Sequence, residues 1–198
     1  MSLKKLDNAG AVAIEAAIVL PLMVFILFAT IEIYHYYRAV SIMDRAVFSI
    51  ADGISMQTEL NDDGNCTATN SLCTYGVVVK DLMRPLNYEQ DGEMTIRLFV
   101  AKDPGSSYGS PTWNNAEGWS KRCLGNGSCQ NTGSLLVAEL PQNMPEPLSN
   151  DTLLMVEIEQ DYEPFIISSI FWNKMGGVRK LKSRAFYRPR FSDLYTLN

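Results

Sequence analysis

Glu15 sits inside an apolar stretch, where a carboxylate must find a cation or a proton. The stretch runs AVAIEAAIVLPLMVFILFATIEIYHYYRAV from Ala11 to Val40, with Glu32 as the second acid in it. No charged residue lies between Ala16 and Ile31. In a membrane span a carboxylate costs about 2.5–3.5 kcal/mol near the centre and less near the edge, so it marks function by default. A second acidic pair, Glu157 and Glu159, stands at i, i+2, where a strand would put both carboxylates on one face. Such a pair suits the general acid–base work of a membrane-anchored periplasmic enzyme, but solvated strands carry it routinely.

The four cysteines, Cys66, Cys73, Cys123 and Cys129, all follow the apolar stretch at spacings C-x6-C and C-x5-C. Neither spacing fits a zinc site, and the one histidine, His35, lies inside the apolar region. An even cysteine set beyond a membrane segment fits disulfides in an oxidising compartment. Four cysteines allow three pairings; the short, turn-rich intervals favour Cys66–Cys73 and Cys123–Cys129. The sequence has no glycine-rich phosphate loop and no G-x-S-x-G. No cofactor or metal is expected, and no catalytic residue is assigned. The run Lys180–Arg190 interleaves five basic residues with Phe186 and Tyr187, but a net charge of -5 argues for a solvated strand face rather than nucleic-acid binding.

The element that must position Glu15 is a helix. From Ala11 to Tyr37 it would be about 40 Å long at ~1.5 Å per residue, against a hydrocarbon core of ~30 Å. Lys4 and Lys5 before it favour a cytoplasmic N-terminus, and Tyr34, Tyr36, Tyr37 and Arg38 form an interfacial belt at the far end. A cleaved secretory signal would end in small residues, whereas this stretch ends in bulky ones.

Gly10, followed by an apolar stretch whose fifth residue is Glu15, resembles the type IV prepilin pattern. Glu15, Pro21 and Glu32 together resemble the TadE/TadF-like minor pilins of tight-adherence (Tad) pili over about thirty residues. Ala11 stands where many prepilins have Phe or Met. The resemblance implies cleavage after Gly10 by a prepilin peptidase, leaving an ammonium at Ala11. It implies assembly roles for Glu15, Pro21 and Glu32. Ala11 and Glu15 are one helical turn apart. Pairing the ammonium of one subunit with the carboxylate of a neighbour would set the axial register of packed helices. Pro21 removes one backbone donor, which a membrane helix tolerates when neighbours satisfy the freed carbonyl.

Apolar positions Val40, Met43, Val47, Ile50 and Ile54 continue the helical period beyond the span, to Met56. A second helix is expected over Tyr75–Met83, stopped by Pro85. Alternation predicts half-buried strands over 94–100, 154–158 and 181–187, with a fourth candidate at 134–140. Asp103–Gly133 reads as a long loop holding Cys123 and Cys129. Pro164–Trp172 reads as an apolar core segment or a surface for lipid or a neighbouring subunit. The fold class is α+β: a long N-terminal transmembrane helix continuing into a small antiparallel sheet. The expected organisation is a leader over 1–10, an assembly helix over 11–37 and a periplasmic domain over 38–198.

A structural role follows, not an enzymatic one: a minor pilin in the bacterial inner membrane, its C-terminal domain periplasmic, open to incorporation in an extracellular pilus. The implied partners are the prepilin peptidase, other pilins and minor pilins, and the Tad inner-membrane assembly platform. A minor pseudopilin of a type II secretion system is the structural alternative, and Pro21 with Glu32 argues against it.

Overall fold

The computed structural model describes residues 4–61, 70–86, 88–102, 112–125, 128–132, 140–141, 144, 146–148, 151–162 and 179–190. They fall into two compact units, one holding the chain up to Arg38 and the other the described residues from Ala39 onward. The segments 134–139 and 163–178, including the expected fourth strand and the run Pro164–Trp172, lie outside the described residues, as does Cys66.

Helix α1 spans Lys4–Ser55, with Pro21 inside it. In the first unit it is the described element, and its large apolar side chains from Val12 to Phe28 are 41% to 67% exposed. In the second unit one stripe of the helix is buried: Ala39, Met43, Ala46, Val47, Ile50, Ala51 and Ile54. Spacings of three and four residues put them on one face. The sequence reading placed Val40 in this stripe; Ala39 takes the buried position and Val40 is half-buried.

Helix α2 spans Leu72–Leu82 and buries Leu72, Cys73, Tyr75, Gly76 and Val79. It stops just before Pro85, which has no amide hydrogen to continue the ladder. A 3-10 turn, Arg84–Leu86, and the short helix α3, Tyr88–Asp91, lead into the sheet.

The sheet has five strands in the order β3-β2-β1-β4-β5, all neighbours antiparallel. They are β1 (Glu93–Lys102), β2 (Thr112–Leu124), β3 (Cys129–Asn131), β4 (Thr152–Tyr162) and β5 (Arg179–Tyr187). On one face Met94, Ile96 and Leu98 of β1 stand beside Ile158, Val156 and Leu154 of β4. That face meets α1: Ser183 Oγ donates to Asp44 Oδ1 at 2.6 Å, and the Phe48 and Tyr187 rings lie edge-on at 6.5 Å. The other face carries a second apolar cluster of Phe99, Ala101, Trp113, Leu153 and Met155, with Leu140, Met144 and Phe186 packed against it.

Two expectations are corrected here. Residues 112–124 and 129–131 are not loop but the hairpin β2–β3, closed by a Cys123–Cys129 disulfide between directly paired positions. Glu117 and Gly118 have poor strand propensity, and pairing with Val100 and Phe99 of β1 overrides it, while Asn114 and Asn115 fall in the irregular stretch before the Lys102–Thr112 pair. A ring this small contributes about 2 kcal/mol in the chain-entropy picture. Cys73 is also disulfide-bonded. Second, β1 and β4 are not half-buried. Thr95, Arg97 and Phe99 are buried, as are Met94, Ile96 and Leu98, because both faces of the central strands are covered.

Candidate functional site: an uncovered apolar helix

Between Val12 and Phe28 no side chain of α1 is buried. A soluble amphipathic helix hides one side and wets the other. Here Ile14, Ile18, Leu20, Leu22, Met23 and Phe25 point in every direction, each more than half exposed. Exposure all round is the signature of a surface made for lipid or for other helices. By length and composition α1 can cross a membrane, with the candidate segment beginning at Val12.

The residues singled out in the sequence are strung along this helix. Gly10 is exposed, and a Cβ there would meet nothing within 4 Å. Glycine inside a helix costs up to ~1 kcal/mol relative to alanine, and among the described residues no close neighbour calls for it. Glu15 is exposed on the bare part of the helix. Pro21 is exposed too, and the helix runs through it. Glu32 differs: it is half-buried and has an interaction partner within the chain. The structure therefore does not bring Glu15 and Glu32 together; 17 residues of helix put them about 25 Å apart along the axis.

The acidic pair on β4 has a different setting. Glu157 and Glu159 do share a face, but both are held by cations from neighbouring strands. Glu157 is almost fully buried; its Oε1 is 2.8 Å from Lys182 Nζ and 3.9 Å from Arg97, while Arg184 Nε donates to its Oε2. Lys182 Nζ also donates to Glu159 at 2.6 Å. Nearby, Arg122 pairs with Glu93. The basic residues of β5 thus face β4 carboxylates in register, Arg184 opposite Glu157 and Lys182 opposite Glu159. This network was missed in the sequence. Its signal was there: Glu157, Glu159 and Asp161 alternate just as Lys180, Lys182 and Arg184 do, which is the complementarity of an antiparallel pair. Among the described residues no group of three or more His, Cys, Asp or Glu is arranged to hold a metal ion.

The network sets a pH window. The hydrogen bond from Lys182 holds Glu159 below the usual carboxylate range, against the opposing effect of its partial burial. Partial burial works against the charged form of Lys182, but hydrogen bonds to Glu157 and Glu159 outweigh it and raise its pKa. Stability from Glu159 is present above its unfolded pKa of ~4.3 and is lost as pH falls through its lower folded value. Stability from Lys182 is present below ~10.4 and is lost as pH rises through its higher folded value. The thermal midpoint should therefore be flat from about pH 5 to 10 and fall on both sides. Glu159→Gln should soften the acid limb; an unchanged acid limb would contradict this.

Comparison with known proteins agrees with the helix. Residues 10–52 match the family described as TadE-like protein. No curated protein and no solved structure matches the chain. The match takes in Gly10, Glu15, Pro21 and Glu32 and runs on into the buried part of α1. Through this helix the chain is similar to the TadE-like proteins.

Proposed function

We propose that the chain is a minor pilin of a tight-adherence pilus. It is made with a leader ending at Gly10 and is cut there by a prepilin peptidase, so that the mature chain begins at Ala11. The exposed part of α1 holds it in the inner membrane with the N-terminus cytoplasmic and the sheet-bearing unit periplasmic. From the membrane it joins other pilins and minor pilins on the Tad assembly platform, in assembly, initiation or adhesion. The role is structural, with no catalytic step of its own.

The observation that carries this reading is an exposed carboxylate on a helix that is apolar all round, inside a TadE-like match. Unpaired in hydrocarbon, Glu15 is costly; opposite the Ala11 ammonium of a neighbour it is relieved, and the pair fixes axial register. Gly10 supports the same reading, since among the described residues nothing crowds the space a Cβ would take there.

Co-expression with a prepilin peptidase tests it. The product should begin at Ala11, and Gly10→Leu should leave the chain uncut. Glu15→Ala should be cut, fold and stay in the membrane, but be lost from assembled pili. Assembled material that begins at Met1 or Ser2 would sink the proposal.

A further inference from the structure

Within the sheet-bearing unit, three contacts tie α1 to the end of the chain. Ser183 Oγ donates to Asp44 Oδ1 at 2.6 Å. The Phe48 and Tyr187 rings meet edge-on at 6.5 Å. The Arg190 N–H donates to the Ser55 carbonyl at 3.1 Å. Residue numbers rise together on the two sides, so α1 and β5 run in the same direction. From Asp44 to Ser55 the ties span about 16 Å of helix axis. These ties resist a motion that the apolar packing does not. The buried stripe from Ala39 to Ile54 holds α1 on the sheet, but burial has no direction and opposes lifting more than sliding. A hydrogen bond, by contrast, is lost within about 1 Å of slip.

We propose that β5 is a shear clamp, the strand through which tension on α1 enters the sheet, with Asp44–Ser183 as the tie that meets the load first. Of the three ties it lies nearest the Ala39 end, where α1 enters this unit. A pull on that end draws β5 along its own length, because helix and strand run the same way. β5 is paired with β4 at every position from Arg179 to Tyr187, and Arg184–Glu157 and Lys182–Glu159 link the two strands across the ladder. A pull along β5 loads those bonds together, whereas a pull across its end breaks them one at a time. The strand made last therefore holds the helix made first, in the direction in which an anchored helix is pulled. The inference rests on the pilin reading only for the source of the load, which is the membrane or filament end of α1.

The test pulls single full-length chains in detergent micelles between two attachment points. These are azide-bearing side chains, so the disulfides stay untouched. One pair, at Ser41 and Asn114, both exposed, loads α1 lengthwise and carries the force through β5, β4 and β1 to β2. The other, at Arg190 and Asn114, pulls on the end of β5 and peels it. Rupture force reads the unfolding barrier, and the first pair should need at least about twice the force of the second. Asp44→Ala should bring that ratio close to one by lowering the first force alone. Asp44→Asn, which keeps the Oδ1 acceptor, should hold the ratio. If Asp44→Ala does not fold, Ser183→Ala removes the donor and is read in its place, with the same expected fall. A ratio near one in the unsubstituted chain would overturn the clamp. So would an equal drop of both forces in Asp44→Ala, which is what a plain loss of stability gives. Neither readout involves pili or cleavage at Gly10, so failure of the clamp and failure of the pilin reading are separate results.

Discussion

Glu157→Ala is expected to destabilise the sheet-bearing unit by about 3–5 kcal/mol, the cost of removing one partner from a buried ion cluster. The carboxylate is only 3% exposed, and three cations converge on it. Without it Arg97, itself 9% exposed, keeps a buried charge and loses the carboxylate 3.9 Å away, Arg184 loses its anion on β4, and Lys182 keeps only Glu159. Glu157→Gln keeps the shape and loses the charge, and should fall in the same direction. Glu159→Gln, at a carboxylate 27% exposed, should cost less than about 1 kcal/mol. Urea unfolding of the full-length chain in detergent would separate these. A cost for Glu157→Ala no larger than that for Glu159→Gln would show the network to be a surface ornament rather than a buried one.

Gly92→Ala should be nearly as damaging, at about 3 kcal/mol or more. Gly92 joins α3 to β1, and a methyl group there would lie inside the ring of Tyr88. Tyr88 is 1% exposed, and its burial, with Glu93 nearby, pushes its hydroxyl pKa far up, so the ring has no open space to move into. The junction is also tied by backbone: Gly92 N–H donates to the Tyr88 carbonyl at 2.9 Å, and Gly125 N–H donates to the Gly92 carbonyl at 2.9 Å. Gly53→Ala is the comparison. Its Cβ would stand 3.3 Å from Tyr75 Cε1, a tight contact offset by up to ~1 kcal/mol of helix propensity, so the net change should be small. Equal midpoints for the two variants would mean that the Tyr88 ring yields more easily than its burial implies.

What could be read from the sequence follows the range of the forces involved. Helix α1 announces itself by a sustained apolar period, and β1, β4 and β5 by alternation; both patterns are local. The TadE-like features are local too, lying within one helix. The hairpin β2–β3 is not. Asn114, Asn115 and Gly118 give no strand signal, Gly118 sits at φ 149°, and the hairpin exists because β1 supplies the partner and a disulfide closes the turn. Arg97 and Glu157 looked like solvated positions because charge is read as exposure when the partner strand is unknown. The different exposure of Glu15 and Glu32 was equally hidden, since both are single acids in an apolar run.

The rim of the sheet bears on how copies of this protein can add to one another. A sheet grows by recruiting strands at its edges, and runaway growth of that kind ends in aggregates. Among the described residues one rim is β3, a stub of three residues pinned by Cys123–Cys129 that covers β2 only at Lys121–Cys123. The other rim among the described residues is β5, where Lys182 and Arg184 are engaged by Glu159 and Glu157 of β4 and Lys180 is exposed, and an exposed lysine on an edge discourages further pairing. The Cys123–Cys129 bond fixes the β3 rim only where β3 pairs with β2, at Lys121–Cys123, so reducing it would free that corner of the sheet alone.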